Sequence, residues 1–555
     1  MNSVNLKNST YQKVGGINKS LITPTFGYIS VDLEEKQMYY FINNNITVKQ
    51  SGIGHAQLKR LELFKKYKQP AKLMTTDYNR FLSDALAAHN LKATDIVNLF
   101  DFFGGTETVS PRKFGIDDFH FPSRFDVKKI DDHYDVTENG RLNCRIVMRK
   151  DKPDWVESVT YFDAAKRIIQ GDFWDSRGFR ALQQLYDRDG HIRVRRLLTA
   201  NGEPFYESYH YGKKFDANDT TLCRLINYHG TDWEFNGVKE LTQFFLDELV
   251  KRDRARDEDD VLVSDASLAD AWALVHMRQP AFKVMHLHNN HSNNSDDVMH
   301  GGLNFNYEYS LNNFNQWQGI IAPTASQAED VAKRFGDRPK TYVVPVGIVP
   351  DTLMALPKQP FDKRQPGKIV QIARLSHEKR IDHAIKVMAK VVKEVPNATL
   401  DIYGYANDDS GKIAKKLVRD LQLQKVVSFK GYTTDMDGVY NGAQLSILTS
   451  SAEGLPLSLI EAQSHGVPLV SYDINYGPRD IINDGKDGYL IKSGDIDGMA
   501  AAVVKLMTDD SLRAHFSDAA YQARAKYSEE SVWQYWQQLN KDARQFFDKL
   551  KEAAD

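Results

Sequence analysis

Residues Gln444–Gly466 read QLSILTSSAEGLPLSLIEAQSHG. The pattern predicts a buried strand over Gln444–Thr449, then a polar loop, then a helix. Pro456 suits the first helical position, where a missing N–H costs nothing, and Gly466 suits the position just after the helix. A strand that leads through a loop into a helix points free backbone N–H groups at the crevice above a parallel sheet. The stretch therefore indicates a doubly wound α/β domain with a ligand site at this strand end.

Two carboxylates lie in this stretch, Glu453 in the loop and Glu461 on the helix. The helix N-terminus between them favours an anion by about 0.3–1 kcal/mol near the surface. A carboxylate repels phosphate but accepts hydrogen bonds from sugar hydroxyls, so the combination suits a sugar joined to a phosphate. Two unrelated surface glutamates would also give this spacing, but the strand, the turn and the helix around them favour a site.

A pair of cations follows the predicted strand Ile369–Ala373. Arg374 and Lys379 stand between that strand and the predicted helix Ile381–Val395. The helix dipole slightly disfavours cations at this end, which favours a functional role over chance. Two cations that converge on one anion would stabilise a departing diphosphate, where negative charge develops during transfer.

The first α/β unit begins with a predicted strand over Met38–Ile46 and a predicted helix over His55–Tyr67. Gly52 lies between them in a Gly-x-Gly turn, which either lets the backbone approach a ligand or simply makes a tight turn. Further along, His288 and His291 follow another predicted strand. A loop pair with no third ligand in view is a poor zinc site, so we expect these histidines to serve another purpose.

Short segments of alternating hydrophobicity replace the helical periodicity between residues 110 and 230. Such segments, joined by hairpin turns, predict an antiparallel meander inserted into the first domain. Its edges need partners, which indicates oligomerisation, a partner subunit or a platform for a long acceptor. A scaffold extension without a partner is the equal alternative. The turn dipeptides are Asn139-Gly140, Asp189-Gly190 and Asn201-Gly202.

The composition is that of a globular enzyme, with 555 residues, 41% hydrophobic residues and a formal net charge of −2. This length predicts more than one domain, and the near-neutral charge argues against general binding to nucleic acid. Since the sequence shows neither an apolar run of membrane-spanning length nor a signal-peptide core, we expect a cytoplasmic protein, at most peripheral to the inner face of the membrane. Cys144 and Cys223 are expected to be free thiols.

The segment from Glu453 to Glu461 resembles the Glu-x7-Glu motif of retaining glycosyltransferase family 4, and Arg374 with Lys379 resembles that family's diphosphate clamp. The resemblance covers most of the chain from Met38 onward. It implies the α/β GT-B fold, in which two Rossmann-like domains face a cleft, with an antiparallel β-rich insertion in the N-terminal domain. The implied parts are a first Rossmann-like domain in two segments (37–109 and 231–350), the β insertion (110–230), a nucleotide-sugar domain (351–525) and a C-terminal helix that crosses back (526–555). The polar, mixed composition of residues 1–36 predicts an N-terminal extension with little regular structure.

Within that family the sequence is most similar to the wall teichoic acid α-glycosyltransferases, and it is also similar to the O-glycosyltransferases of serine-rich adhesins. The resemblance implies transfer of glucose or N-acetylglucosamine from UDP-glucose or UDP-N-acetylglucosamine, with retention, to hydroxyls of a polyglycerol- or polyribitol-phosphate polymer. Transfer to Ser or Thr of an adhesin, and a non-catalytic GT-B partner subunit, are the alternatives. No cofactor and no metal is implied. The implied partners are the polymer or protein acceptor and a further subunit bound through the insertion.

The resemblance also assigns roles to residues. Glu453 orients the donor sugar, Glu461 holds the ribose, and the two clamp cations stabilise the diphosphate. His291 completes the sugar pocket, with His288 as the second choice. The remaining implied donor-binding residues lie in the loops around the cleft: Gly52, Tyr403, Gly404, Tyr432, Leu455, Leu457 and Ser458.

Overall fold

The computed structural model describes residues 37–212, 220–406 and 408–554, so the predicted extension over residues 1–36 lies outside the described residues. The described strands form a parallel sheet of seven, an antiparallel sheet of ten and a parallel sheet of six. The two parallel sheets with their helices confirm the expected α/β class. The antiparallel sheet confirms the β-rich insertion.

The first lobe starts with three strand–helix units. Residues Tyr39–Ile42 of the first strand are fully buried because this strand lies inside the sheet. The units comprise β1 (Gln37–Asn43), α1 (Gly52–Lys66), β2 (Ala71–Thr75), α2 (Leu82–Ala88), β3 (Ile96–Asn98) and α3 (Leu99–Gly104).

The start of α1 differs from the prediction. The Ser51 hydroxyl accepts a hydrogen bond from the Gly54 N–H at 3.2 Å, so Ser51 caps the helix. Gly52 is therefore the first helical residue and not part of a turn before the helix. Likewise β1 ends at Asn43 and not at Ile46. Hydrophobic periodicity locates the apolar face of an element but not the polar residue that ends it.

The insertion is one continuous meander in which each strand pairs with the next. Asn139 and Gly140 have φ of 50° and 75°, as a two-residue hairpin turn requires. The sheet continues to Phe235, beyond the predicted limit at residue 230. Its strands are β4 (Phe125–Ile130), β5 (His133–Glu138), β6 (Arg141–Met148), β7 (Val156–Phe162), β8 (Ile168–Trp174), β9 (Arg180–Tyr186), β10 (Ile192–Leu198), β11 (Pro204–His210), β12 (Thr220–Tyr228) and β13 (Thr231–Phe235).

The chain then returns to the first lobe through α4 (Val238–Arg254), β14 (Asp259–Ser264), α5 (Ser267–Val275), β15 (Phe282–His286), α6 (Glu308–Asn312), β16 (Gly319–Ala322), α7 (Ala325–Phe335), β17 (Lys340–Val343) and α8 (Asp351–Met354). The seven parallel strands lie in the order β17-β16-β15-β14-β1-β2-β3. The order reverses between β14 and β1. The loops after these two strands therefore open a crevice at the carboxyl edge of the sheet.

The second lobe contains β18 (Lys368–Ile372), α9 (Ile381–Glu394), β19 (Thr399–Tyr403), α10 (Ser410–Asp420), β20 (Val427–Gly431), α11 (Met436–Gly442), β21 (Leu445–Leu448), α12 (Leu457–Ser464), β22 (Leu469–Asp473), α13 (Pro478–Ile481), β23 (Gly488–Lys492), α14 (Ile496–Thr508) and α15 (Asp510–Ala523). Its six parallel strands lie in the order β20-β19-β18-β21-β22-β23. The order reverses between β18 and β21, so the loops after these strands form the second crevice.

The last helix, α16 (Glu529–Glu552), packs on the first lobe. Trp536 is buried edge-on against Tyr39 and Phe64, with ring centroids 6.3 and 5.0 Å away. The Tyr39 hydroxyl donates to Asn540 Oδ1 at 2.5 Å. The core of the first lobe therefore includes side chains from the end of the chain. In the part of the chain that the structure describes, no helix combines the length and the apolar character that a membrane span needs.

Candidate active site between the two lobes

The two loops at the switch point of the second lobe meet through Lys379 and Glu453. Lys379 Nζ lies 2.7 Å from Glu453 Oε1, and the two side chains are only 16% and 12% exposed. Nearby, the Ser451 N–H donates to the Glu378 carbonyl at 2.8 Å, and the Thr449 hydroxyl donates to the Lys379 carbonyl at 2.9 Å. Because β18 and β21 are adjacent strands, the structure brings one predicted cation and one predicted acid into contact.

Backbone from both lobes approaches closely around Glu453, and glycines make this possible. A Cβ on Gly454 would lie 2.7 Å from the His288 carbonyl oxygen of the first lobe. A Cβ on Gly477 would lie 2.8 Å from the Gly454 carbonyl oxygen. The Tyr476 N–H donates to the Glu453 carbonyl at 3.1 Å. Three loops therefore surround this glutamate, and a side chain at Gly454 would force them apart.

The helix after Glu453 begins one residue later than predicted. Pro456 is extended, with φ −70° and ψ 107°, and occupies the cap position before α12. Since proline offers no capping side chain, the first N–H groups of α12 can face an anion. Gly466 follows the helix with φ +65°, the left-handed conformation predicted for that position.

Arg374 lies at the edge of this site. Its side chain is 53% exposed, and its Nη2 lies 3.2 Å from Glu378 Oε1. Glu378 also accepts a hydrogen bond from the Ser376 hydroxyl at 2.6 Å. Arg374 and Lys379 thus flank one loop, but the described contacts give their cationic groups different partners.

Glu461 faces the first lobe. Lys59 on α1 places Nζ 3.1 Å from Glu461 Oε1. The Tyr440 hydroxyl lies 3.5 Å from the other carboxylate oxygen. One helical turn earlier on α1, His55 Nε2 lies 3.4 Å from the Tyr432 hydroxyl, and burial lowers the pKa of His55. Thus α1 lies against the half of the cleft that contains Glu461 and Tyr432.

A buried charge network lies under the loop that carries His288. Asp265, just after β14, is 2.5 Å from the Arg60 guanidinium, 2.7 Å from His288 Nε2 and 3.0 Å from His286 Nδ1. Burial alone would raise the pKa of Asp265, but Arg60 and the two histidines hold it well below its usual range. Burial lowers the pKa of His286 to about 3. Asp265, His286 and His288 have a metal-ligating geometry. The Arg60 guanidinium, 2.9 Å from His286 Nδ1, already supplies positive charge to this group.

His291, the first-choice histidine for the sugar pocket, is completely buried. Its Nε2 lies 3.1 Å from the Val298 carbonyl oxygen, and its ring stacks on Tyr476 at 6.0 Å. Burial lowers its pKa to about 4. Contact with a sugar would require this ring to become exposed. His288 is held by Asp265 with 7% of its side chain exposed.

The remaining predicted donor-binding residues lie along the loops of the cleft. Gly404 has φ +145°, and its N–H donates to the Gly431 carbonyl at 2.9 Å. Open space faces Gly52, since no described atom lies within 4 Å of the position that its Cβ would take. Leu455 is buried. The others are partly buried: Tyr403, Tyr432, Leu457 and Ser458.

Three polar residues of α1 that contribute to this region were not predicted: His55, Lys59 and Arg60. Helix α1 was predicted from its apolar face, and that face gives no information about the residues on the opposite side of the helix. His55 and Lys59 are four residues apart and therefore lie on one side of the helix. This spacing, close to Gly52, could have indicated a polar helix face at the site. For Arg60 the sequence gave no such indication, because its partner Asp265 is 205 residues away in the chain.

Residues 355–523 match the family described as Glycosyl transferases group 1. The second lobe is a group 1 glycosyltransferase domain. The matched segment contains both pairs of charged residues singled out above, Arg374 and Lys379 with Glu453 and Glu461. The family match and the contact between Lys379 and Glu453 thus concern the same region of the molecule.

Curated relatives match this chain over about nine tenths of its length. The poly(glycerol-phosphate) alpha-glucosyltransferase of Bacillus subtilis (strain 168) is 27% identical over 90% of this chain and 74% of its own length. The poly(ribitol-phosphate) alpha-N-acetylglucosaminyltransferase of Staphylococcus aureus (strain COL) is 26% identical over 90% of this chain and 99% of its own. The peptide N-acetylglucosaminyltransferase GtfA subunit of Streptococcus gordonii is 26% identical over 91% and 98%.

Solved structures agree on the architecture. A mutant of S. aureus TarM, in complex with Fondaparinux, alpha-GlcNAc-glycerol and UDP, superposes with a TM-score of 0.75 at 23% identity, covering 91% of this chain and 99% of that one. The pneumococcal O-GlcNAc transferase GtfA, in complex with UDP and GlcNAc, superposes with a TM-score of 0.76 at 21% identity, covering 92% and 99%. The chain has the GT-B fold with a β-rich insertion in its N-terminal lobe.

Proposed function

We propose that this protein is a retaining hexosyltransferase that moves glucose or N-acetylglucosamine from a UDP-sugar to a hydroxyl of a polyol-phosphate polymer. The observation that carries the proposal is the 2.7 Å contact between Lys379 and Glu453 at the strand switch point, beside the start of α12. An acid and a base beside a helix N-terminus suit a sugar diphosphate. The polymer follows from two relatives, whose names specify poly(glycerol-phosphate) and poly(ribitol-phosphate).

In the proposed reaction the bond between the anomeric carbon and the diphosphate oxygen breaks, and the acceptor oxygen bonds to the same face of that carbon. The acceptor proton passes to the departing diphosphate. Lys379, Arg374 and the α12 N-terminus stabilise the negative charge that develops on the leaving group. Glu453 orients the sugar and Glu461 holds the ribose. Side chains and backbone supply all the positive charge in this scheme, and closure of the lobes excludes water.

His288 is the better-placed histidine for the sugar pocket. Asp265 accepts a hydrogen bond at 2.7 Å from the His288 ring, which fixes the ring orientation, whereas His291 is enclosed by Tyr476 and the Val298 carbonyl. Arg60 in turn holds Asp265. A histidine oriented by a buried carboxylate keeps one tautomer and one rotamer, as hydrogen bonding to a sugar hydroxyl requires.

Transfer to Ser or Thr of an adhesin is the second candidate. It is favoured by the GtfA relatives, whose similarity is nearly equal to that of the polymer enzymes. One related structure is a GtfA/B complex. We infer that the β insertion of this chain offers a surface to another subunit. Edge strand β4 exposes Val127 and Ile130 by 42% and 37%, as expected of a surface that is covered in an assembly. A non-catalytic subunit is disfavoured because Lys379 and Glu453 are present and in contact.

The test pairs each donor, UDP-glucose and UDP-N-acetylglucosamine, with three acceptors: polyglycerol-phosphate, polyribitol-phosphate and a Ser-rich peptide. We expect UDP release and an α-linked product with a polymer, read from the anomeric proton signal. Glu453→Gln should lower kcat by at least about a hundredfold, since it removes a group that contacts the reacting sugar. Glu394→Gln, on the exposed end of α9, is the matched control. A β-linked product, or equal rates for wild type and Glu453→Gln, would refute the proposal.

A further inference from the structure

A cavity of about 1200 Å³ opens on the second lobe, next to a loop that also contributes to the donor site. The loop from Ser376 to Arg380 borders both regions: its Lys379 contacts Glu453, while Ser376 and Arg380 line the cavity. Asp296 of the first lobe also lines it, so the cavity reaches the mouth of the cleft. This volume exceeds the roughly 300–1,000 Å³ of small-molecule pockets, which suits several repeats of a chain-like ligand.

The cations of this cavity fall into two groups. Three of its five cationic side chains are ion-paired with aspartates that also line it. Arg380 and Lys492 have no ion-pair partner among the described residues. Arg380 Nη1 donates to the Ser493 hydroxyl at 3.1 Å, and Ser493 follows Lys492 directly. Two cations without an ion pair among the described residues thus line this cavity together with the Ser493 hydroxyl. The paired residues are Lys386 with Asp382, Lys416 with Asp420, and Arg479 with Asp473.

Backbone geometry adds to this positive corner. Helix α9 has 14 residues and starts at Ile381, Arg380 occupies the cap position without a side-chain cap, and Ile381 and Asp382 line the cavity. Its dipole therefore reinforces the positive charge of Arg380 and Lys492. Gly494, with φ +84° and open space around it, lies beside Ser493. The corner joins two cations, a hydroxyl and a helix N-terminus within one cavity, as recognition of a phosphate group requires.

We propose that this corner binds a phosphodiester group of the acceptor polymer, while the paired acids and bases along the cavity contact its polyol hydroxyls. The inference rests on the proposed function and specifies the acceptor as an anionic polymer. The donor diphosphate does not need this corner, because Lys379, which does not line the cavity, and the α12 N-terminus serve it. A Ser-rich peptide has no phosphodiester to place here, so the site distinguishes the two acceptor classes.

The test measures the KM for polyglycerol-phosphate with wild type, Lys492→Met and Lys492→Glu. The matched control is Lys486→Glu, a lysine of the turn before β23, at the other end of that strand from Lys492. We expect Lys492→Met to raise the KM about two- to fivefold at low salt, which is the range for one exposed charge contact, and Lys492→Glu to raise it further. Added salt should shrink both differences. With free glycerol as the acceptor, which carries no phosphate, Lys492→Met and wild type should give the same KM.

The outcomes distinguish failure of the phosphodiester subsite from failure of the proposed function. An unchanged KM for the polymer with Lys492→Glu would overturn the subsite. An equal increase with Lys486→Glu would also overturn it, by showing a general effect of surface charge. If Lys492→Glu fails to fold, Lys492→Met alone still decides. No transfer by the wild-type protein to any acceptor would refute the proposed function, and transfer to the Ser-rich peptide alone would refute the anionic acceptor.

Discussion

Replacing Arg60 with methionine tests the buried charge network under the cleft. The Arg60 side chain is 4% exposed, its Nη2 lies 2.5 Å from the fully buried Asp265 carboxylate, and its guanidinium lies 4.2 Å from the centre of the Phe41 ring. Methionine keeps much of the aliphatic length but removes the charge and every donor. The carboxylate of Asp265 then stays buried without its cation.

The expected loss follows from this geometry. Breaking a buried ion pair by removing one partner costs about 3–5 kcal/mol because the other charge remains desolvated. In the variant, His288 and His286 still lie 2.7 and 3.0 Å from Asp265, and their hydrogen bonds replace part of the stabilisation that Arg60 supplied. We therefore expect a decrease of about 3 kcal/mol in the free energy of unfolding at neutral pH, at the lower end of that range.

The pH dependence has a definite sign. The folded-state pKa of Asp265 is well below its usual range, so its stabilisation is present above the unfolded pKa of about 3.9 and is lost as pH falls through the folded value. Wild type loses that contribution in acid, whereas Arg60→Met has little of it to lose. The difference between the two proteins should therefore be largest near neutral pH and shrink below about pH 4.

Urea unfolding followed by far-UV circular dichroism measures the difference. Lys65→Met is the matched control on the same helix, because Lys65 is 38% exposed and its pairs with Glu62 and Asp95 lie at the surface. It should cost under about 1 kcal/mol. The double variant Arg60→Met with Asp265→Asn should recover part of the loss. A loss for Arg60→Met no larger than that of the control would refute the buried-charge reasoning.

Three further changes have expected outcomes. Lys59→Met should lower the free energy of unfolding by less than about 1 kcal/mol, because its ion pair with Glu461 stays more than a quarter exposed; a urea midpoint shifted as far as that of Arg60→Met would contradict this. Gly404→Ala should destabilise by at least about 1–3 kcal/mol in thermal unfolding, since φ is +145° and the new Cβ would lie 1.9 Å from a backbone carbonyl oxygen. Burial raises the pKa of Asp270 to about 7, so its contribution to stability is fully present below the unfolded pKa of about 3.9 and is lost as pH rises to about 7. Asp270→Asn should therefore flatten the melting temperature between about pH 4 and 7; a profile as steep as that of wild type would show that another group titrates.

Local sequence patterns predicted much of the architecture and part of the site. Alternation and Asn-Gly turns indicated the meander, and the strand–loop–helix pattern around Glu453 indicated the crevice of the second lobe. The contact between Lys379 and Glu453 was predictable because both follow strands of one parallel sheet, and parallel strands end at a common edge. Element ends were less accessible, because a single capping hydrogen bond to Ser51 sets the start of α1 and the extended backbone of Pro456 sets the start of α12.

The sequence by itself determined the class of fold and the acids and bases of the second lobe, since these depend on residues within one strand–loop–helix unit. Only the tertiary structure decided which partners Glu461, Asp265 and the two histidines have. Glu461 meets Lys59 across the cleft, Asp265 meets Arg60 beneath it, and His291 is enclosed while His288 stays at the edge. The physical reason is that burial and ion pairing depend on the packing of elements hundreds of residues apart, and periodicity along the chain contains no information about that packing.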